Sequence, residues 1–478
     1  MGKYSRLGKN TILVFIGNVG SKLLQFLMLP LYTRWLTIEE FGIVDTINIY
    51  AMFLFCVVTC CITDAIFVFP KGGSIEKQTT YFTAGILFSL GSLLFTAVCI
   101  FFLKRFFSSG IYSYIDHIWL IYLLLVSFFY QQYFQQFARS IDAMKVYTVS
   151  GILVVFLSVF FSIILVPTWK VKGYVLSLFL GNMGAAGYSF FISKMYTYLS
   201  FPKFSATACK RMLAYSIPLV PNGVMWWLVT SLNRPLMEKY LGMHSIGLFA
   251  LANKFPSSLT LLVSVFILSW QISVFEEFGK KGYKEFYNRT FSMSTLLLMF
   301  FCCCMTIFSQ EIIDVFATKG YSEAWIYMSI LTLGVAFSCM SSLAGTNFSV
   351  VKQSKFYFYS SLWSGITAVV LNLVLIPDYG IMGASLSVCI SFLVGAITRI
   401  YYSWQFVQLE KIYKYAIAIC INIFVITSLY FGSTSYCIKL LSIIFSLVSY
   451  FLLCRDDLCK VIYLIKNNYG EKIFKGMH

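Results

Sequence analysis

Four polar residues interrupt the first long apolar run of the chain: Asn18, Ser21, Lys22 and Gln25. At about 100° per residue, these four share one side of a helix. A cation near the middle of a bilayer costs about 2.5–3.5 kcal/mol on insertion scales, so we expect Lys22 to face protein or water. The pattern predicts a polar, positively charged surface within a membrane-spanning helix, suited to an anionic substrate.

A second polar stripe lies on the fourth predicted span, where Gln131, Gln135 and Arg139 recur at every fourth residue. Gln132 and Gln136 widen the same face. Four amides and an arginine suit a wet cavity that offers many partners to hydroxyl groups. The alternative is hydrogen bonding between helices of one bundle. We expect this face to line a substrate cavity.

Further candidates are single residues. Lys254 beside Asn253 gives a later span its own intramembrane cation, although an interfacial lysine can also snorkel. Trp226 could stack on a sugar ring, and packing is the common alternative. Asp45 and Asp64 are the acids that fall within predicted spans, so either is a candidate for a coupling ion or an ordinary interface residue.

The elements that must position these residues are membrane helices. The chain of 478 residues is 59% hydrophobic and 12% charged, whereas soluble domains carry roughly 25% charged residues. Apolar runs of about twenty residues recur along it, which predicts an all-α polytopic membrane protein with about fourteen spans. The predicted spans cover residues 11–32, 41–69, 79–103, 118–138, 147–166, 174–195, 213–233, 246–273, 291–308, 325–351, 356–376, 384–404, 413–431 and 438–454. Pro218 and Pro221 predict a kink in the seventh.

Cysteine usage indicates neither a metal nor a cofactor. The 14 cysteines show no metal-ligand spacing, and several lie in apolar helices, where cysteine acts as a small hydrophobe. We therefore expect no metal, no cofactor and no catalytic site. The N-terminal apolar run is too long for a cleavable signal, so the first helix is expected to direct its own insertion.

The chain contains an internal repeat. The stretch from Asn10 to Asn48 matches one 205 residues later, and VPTWKVKGYVLS from Val166 matches IPDYGIMGASLS from Ile376. The pairs that carry the first match best are Pro30/Pro235, Gly42/Gly247 and Asn48/Asn253.

The repeat predicts the domain organisation. Six spans separate equivalent helices, so both halves insert the same way up, as parallel repeats with an axis along the membrane normal and a cavity between two lobes. We expect an N-lobe at 1–195, a cytoplasmic loop at 196–212 and a C-lobe at 213–404. Two extra helices at 405–454 and a basic cytoplasmic tail at 455–478 follow.

The net charge of +17 indicates membrane orientation rather than nucleic-acid binding. With both termini cytoplasmic, 24 of the 36 Lys and Arg residues fall in cytoplasmic segments and nine on the opposite side. The remaining three, Lys22, Lys254 and Arg399, lie within spans.

The opening KNTILVFIGNVGSKLLQFLMLPLYTRWLTIEEFGIVD resembles the start of bacterial polysaccharide (O-antigen or capsule) repeat-unit flippases of the Wzx type. These belong to the multidrug/oligosaccharidyl-lipid/polysaccharide exporter superfamily. The resemblance implies ion-coupled alternating access, with H⁺ or Na⁺, that moves undecaprenyl-pyrophosphate-linked oligosaccharide across the bacterial cytoplasmic (inner) membrane. It further implies membrane lipids and polysaccharide polymerases as partners.

Two alternatives remain open. A multidrug or organic-ion antiporter of the same superfamily fits the architecture, but cationic substrates fit Lys22 and Lys254 poorly. A membrane glycosyltransferase, polymerase or ligase would be an enzyme, and such enzymes usually need a sizeable extracytoplasmic loop. The predicted loops do not exceed about twenty-five residues, too short for a catalytic domain.

The distribution of Lys and Arg makes a topological prediction. A reporter active only outside the cytoplasm should be on when fused near Ser113 or Ser322, and off near Ser205 or Ser354. Activity at Ser205 would contradict the two-repeat topology.

Overall fold

A computed structural model describes residues 26–106, 113–317, 319–351, 353, 355–432 and 436–475. Within these residues all regular structure is helical. The predicted all-α membrane class is therefore confirmed.

Seventeen α-helices follow one another along the described chain. They are α1 (Leu29–Trp35), α2 (Ile38–Val58), α3 (Ile62–Val68), α4 (Ile75–Phe106), α5 (Ser113–Asp116), α6 (Ile118–Ser140), α7 (Met144–Ile192), α8 (Ala206–Ser216), α9 (Val220–Ser231), α10 (Asn233–Leu241), α11 (Met243–Glu277), α12 (Tyr283–Ile307), α13 (Ser309–Phe316), α14 (Ala324–Val350), α15 (Lys355–Ser403), α16 (Ile412–Phe431) and α17 (Tyr436–Lys475).

Among the described residues, nine helices are long and apolar enough to cross a membrane. Two of them, α7 and α15, have 49 residues each, so each carries two predicted spans. The first predicted span lies mostly outside the described residues. These helices are compatible with fourteen spans, and the exact number stays a prediction.

Helices α7 and α15 are both helical hairpins that turn at equivalent positions. Lys170 has φ 50° and ψ −124°, and Gly380, 210 residues later, has φ 56° and ψ −131°. The loops predicted at 167–173 and 377–383 are thus reduced to tight turns. A Cβ on Gly173 would collide with the carbonyl of Leu165, and Gly383 meets Leu375 in the same way, so the two limbs touch by their backbones.

The second and seventh predicted spans are broken. Cys60 and Cys61 both have left-handed φ values, 50° and 53°, so the predicted continuous helix over 41–69 is wrong at this point and divides into α2 and α3. The seventh span contains a 3₁₀ turn at Ile217–Leu219, next to Pro218 and Pro221, and a second break before α10. The 3₁₀ turn lies beside the two prolines, where the kink is predicted, and the kink itself stays a prediction.

The chain divides into two compact units. The first comprises the described residues of Met1–Lys254 with Asp314–Ser322 and Gly365–Ser387, and the second those of Phe255–Ile313, Glu323–Ser364 and Val388–His478. The core of the first unit includes Phe82, Tyr133 and Phe137, and the core of the second includes Trp270 and Tyr287.

Within each unit, the described ion pairs join residues at the same predicted side of the membrane; Asp45, which lies within the second predicted span, is at the outer end of that span. The cytoplasmic pairs are Glu76–Lys203, Glu277–Lys280 and Lys284–Glu410, and the outer pairs are Asp45–Arg234, Glu39–His244 and Glu311–Lys439. This agrees with the predicted grouping of the loops, and which group is cytoplasmic stays a prediction.

The hairpin turns predict a pair of matched effects. Gly173→Ala and Gly383→Ala should each destabilise the protein by about 1–3 kcal/mol, because the added methyl group forces the two limbs apart. The measurement is the melting temperature of the purified protein in detergent. Gly91→Ala is the control, since a Cβ there meets nothing within 4 Å. Equal melting temperatures for all three variants would contradict the backbone contact.

Candidate functional site

Helix α2 begins with a capping box that fixes its first turn. The Thr37 hydroxyl accepts a hydrogen bond from the Glu40 amide at 3.2 Å, and the Glu40 carboxylate accepts one from the Thr37 amide at 2.9 Å. The capping box provides hydrogen-bond acceptors for two amides that the helix itself leaves without partners. It therefore sets the direction in which Glu39 and Gly42 leave the turn.

Gly42 and Gly247 touch each other inside the first unit. A Cβ on Gly42 would collide with the carbonyl of Met243 and lie 2.9 Å from the amide nitrogen of Gly247. A Cβ on Gly247 would in turn collide with the carbonyl of Ile38. Helix α2 and the start of α11 thus cross backbone to backbone, and only glycine fits at either position.

This crossing obeys the symmetry of the repeat. Glu39 contacts His244 and Gly42 contacts Gly247, and both pairs are 205 residues apart, the offset of the internal match; the same offset exchanges the approach of Gly42 to Met243 with that of Gly247 to Ile38. Equivalent residues touch each other only where they lie beside a two-fold axis. The glycine pair therefore marks the pseudo-two-fold axis of the first unit, and the Glu39–His244 hydrogen bond of 2.7 Å crosses it.

Near this crossing, Asp45 pairs with a buried arginine. Arg234 is 2% exposed and donates from Nε to Asp45 Oδ2 at 3.2 Å. Its Nη1 donates to the Thr230 carbonyl at 2.6 Å and to Asn233 Oδ1 at 2.8 Å, and the guanidinium lies 4.6 Å from the Phe249 ring. Asp45, a predicted coupling-ion candidate, is thus the counter-ion that makes burial of this arginine tolerable.

The glutamine stripe of α6 forms hydrogen bonds within the first unit. Gln131 is buried and donates to Gln135 Oε1 at 3.0 Å, and Gln135 donates to the Tyr147 carbonyl at 3.0 Å. The half-buried Arg139 lies 4.2 Å from the Phe67 ring and 5.6 Å from that of Tyr147. The hydrogen bonds of Gln131 and Gln135 are also expected from packing between helices of one bundle. That this face lines a cavity stays a prediction.

The remaining described candidates have separate environments. Lys254 is exposed and Asn253 half-buried, both on α11. Trp226 is 56% exposed, whereas its neighbour Trp227 donates to the Ile49 carbonyl at 3.2 Å and so packs against α2. Asp64 is exposed on α3. Asn18, Lys22 and Gln25 lie outside the described residues.

Arg234 is the main residue that the sequence analysis missed. Its position after the seventh predicted span places it in an outer loop, yet it lies buried in α10. A usable signal was its position beside Pro235, one of the prolines of the repeat. Glu39 and His244 could likewise have been found from their shared offset of 205 residues.

The fold and these contacts define a class: a polytopic helical membrane protein with two parallel repeats that meet at a pseudo-two-fold axis, with unusual polar residues inside its spans. Solved structures show the same fold. The structure titled lipid II flippase MurJ in an inward closed conformation matches with a TM-score of 0.72 at 15% identity, covering 94% of this chain and 100% of that one. An inward-facing multidrug resistance MATE family transporter of the MOP superfamily matches with a TM-score of 0.57 at 10% identity, covering 83% of this chain and 93% of that one.

Residues 7–277, more than half of the chain, match the family model described as polysaccharide biosynthesis protein, and the chain belongs to that family. It is 22% identical over 423 residues to capsular polysaccharide biosynthesis protein CapF of Staphylococcus aureus, covering 82% of this chain and 98% of that protein. It is 21% identical over 433 residues to the probable low-salt glycan biosynthesis flippase Agl15 of Haloferax volcanii, covering 85% and 86%. The predicted family resemblance is confirmed.

The Asp45–Arg234 pair predicts a large and asymmetric mutational effect. Asp45→Asn should cost about 3–5 kcal/mol, because it leaves a buried guanidinium without its counter-ion. Replacing both residues, as Asp45→Leu with Arg234→Met, should recover much of that loss. The measurements are melting temperature and the amount of protein in the membrane.

The matched control is Glu277→Gln, which removes an exposed ion pair with Lys280 and should change stability by about 1 kcal/mol or less. If Asp45→Asn proves no more harmful than this control, the pair has no structural role.

Proposed function

We propose that this protein is a flippase that moves undecaprenyl-pyrophosphate-linked oligosaccharide repeat units across the bacterial cytoplasmic membrane. The observation that carries the proposal is the match to CapF and Agl15 over more than four fifths of the chain. A match of that length includes both repeats, so it concerns the whole transporter rather than one helix pair. The protein acts as a transporter and not as an enzyme.

The proposed cycle is alternating access around the pseudo-two-fold axis. Substrate can leave on the outer side only when helices α2 and α11 separate at Gly42 and Gly247. The contacts that break there are inexpensive: a glycine crossing and the exposed Glu39–His244 pair, whose side chains are 52–53% exposed. The buried Asp45–Arg234 pair also joins the N-lobe helix α2 to the C-lobe helix α10, so outward opening must break this pair as well, and at a higher cost.

The repeat symmetry also supports a joint site for Lys22 and Lys254. Their equivalents, at the offset of 205 residues, are Trp227 and Ile49, and the indole of Trp227 donates to the Ile49 carbonyl. By the same symmetry operation, Lys22 and Lys254 are expected to lie close together. Two cations in one cleft would neutralise a diphosphate, since attraction strengthens as the dielectric constant falls.

The remaining candidates complete the proposed cavity. Asn18, Gln25, Gln131, Gln135 and Asn253 would offer amides to sugar hydroxyl groups, Arg139 would add charge, and Trp226 would stack on a ring.

Asp64 and Asp45 are the proposed coupling residues for H⁺ or Na⁺. For Asp45 this means that the ion competes with Arg234 for the carboxylate.

Both termini are proposed to be cytoplasmic, with the lobes at 1–195 and 213–404. A polysaccharide polymerase is the expected partner outside.

A multidrug or organic-ion antiporter is the second candidate, because MATE transporters share the fold. The two functions require opposite charge in the cavity. A cationic drug would be repelled by Lys22 and Lys254, whereas a diphosphate would be attracted.

Substitutions at Lys22 therefore test the function. In a flippase-null strain, Lys22→Arg should restore substantial surface polysaccharide, Lys22→Ala should restore less, and Lys22→Glu almost none at normal membrane expression. The reason is that the proposed contact with the diphosphate requires positive charge but no single orientation.

Lys77→Glu is the control, because it makes the same charge change at an exposed residue of a predicted cytoplasmic segment. Full activity of Lys22→Glu would contradict the proposed electrostatic contact between Lys22 and the diphosphate.

A further inference from the structure

Arg399 lies in the twelfth predicted span, within the second unit, and its side chain contacts residues of the same unit. Nε donates to Ser360 Oγ at 3.1 Å, Nη1 to the Ser341 carbonyl at 3.5 Å and Nη2 to Ser361 Oγ at 3.5 Å. The guanidinium lies 5.2 Å from the centre of the Tyr357 ring. Helix α14 and both limbs of the α15 hairpin thus surround this cation.

None of these partners carries negative charge. Within the part of the chain that the structure describes, no carboxylate forms an ion pair with Arg399. A guanidinium has five N–H donors, and the three contacts use three of them, two at the outer limit of hydrogen-bond distance. A cation inside a span that has only neutral partners is costly, and an external anion would offset that cost.

Gly345 gives this site its shape. A Cβ on Gly345 would lie 2.8 Å from Cε1 of Tyr357 and 3.2 Å from Cδ of Arg399, so a side chain there would displace the ring or the arginine. Ser361 accepts from Arg399, and among the described contacts its hydroxyl hydrogen has no acceptor. Arg399 and Ser361 therefore both have donors to offer to the same anion.

The first unit contains a related arrangement. At the offset of 210 residues, Tyr147 is the equivalent of Tyr357, and Arg139 lies over Tyr147 as Arg399 lies over Tyr357. The arginines come from different helices, α6 and the second limb of α15. Each repeat therefore places an arginine against the equivalent tyrosine, Tyr147 in the first and Tyr357 in the second.

We propose that Arg399, Ser361 and Tyr357 form a phosphate-binding site in the C-terminal repeat, near the end that the sequence analysis predicts to be cytoplasmic. The ligand is a phosphate or diphosphate group carried by a lipid. The arginine fork binds two phosphate oxygens, and the serine hydroxyl donates to one of them. Where that group belongs to the glycan carrier, the inference rests on the proposed flippase function.

The test uses purified full-length protein in detergent and inorganic pyrophosphate as the probe, with affinity measured by titration. The background carries Lys22→Gln and Lys254→Gln, so that the site proposed for those lysines does not contribute. Binding should persist in this background and weaken about tenfold or more with Arg399→Gln, since the group lost makes charge-assisted hydrogen bonds. Arg399→Lys should retain part of the affinity.

Gly345→Ala provides a second route that leaves every charge in place. It should weaken pyrophosphate binding by shifting Arg399, whereas Gly187→Ala, where a Cβ meets nothing within 4 Å, should not. Unchanged affinity in both Arg399→Gln and Gly345→Ala would overturn the site. Loss of all pyrophosphate binding on removing the two lysines would also overturn it.

Two further arms identify the source of the phosphate. If Arg399→Gln also lowers surface polysaccharide at normal membrane expression, the ligand is the glycan carrier. If polysaccharide is unchanged, and phosphatidylglycerol competes with pyrophosphate only when Arg399 is present, the ligand is an ordinary anionic lipid. Pyrophosphate binding does not require transport, so failure of the flippase proposal and failure of this site give different results.

Discussion

The contact between Gly42 and Gly247 is the constraint on which the rest of the first unit depends. Lipid tails are as apolar as leucine side chains, so helices in a membrane associate through close packing rather than through the hydrophobic effect. With no side chain between them, α2 and α11 meet at their backbones. That approach brings Glu39 against His244, and it fixes α2 as the helix from which Asp45 reaches Arg234. A larger residue at either glycine would disturb all of these contacts together.

Four of the described cations have two kinds of partner. Arg234 and Lys439 have carboxylates, Asp45 and Glu311, so their charge is neutralised by the protein itself. Arg139 instead lies against the rings of Phe67 and Tyr147, and Arg399 against the Tyr357 ring and neutral oxygen atoms. Because an uncompensated charge is expensive inside a membrane, we propose that Arg399, which lies within a span, is retained to bind an anion rather than for stability.

The features that could be predicted from the sequence are those that depend on a local residue pattern or on the internal repeat. The Pro30/Pro235 and Gly42/Gly247 matches gave the parallel repeats, and Pro218 with Pro221 gave the broken seventh span. The Asp45–Arg234 pair could not be derived in that way, because it joins residues 189 positions apart on helices whose crossing is a tertiary property. The glutamine stripe was ambiguous for a different reason. Residues four apart on a helix can bond each other or face a cavity, and periodicity does not distinguish the two.

The repeats are symmetric where they meet and asymmetric where they carry charge. Equivalent glycines touch at the axis, but Arg139 and Arg399 come from different helices, and the equivalents of Lys22 and Lys254 are Trp227 and Ile49. A gate that opens between two similar halves benefits from matched surfaces, since each half must release the other in the same movement. A lipid-linked glycan has a single diphosphate at one end and sugars at the other, so it presents no symmetry to bind. The proposed symmetric gate, combined with cations that come from non-equivalent positions in the two halves, suits the transport of such a molecule.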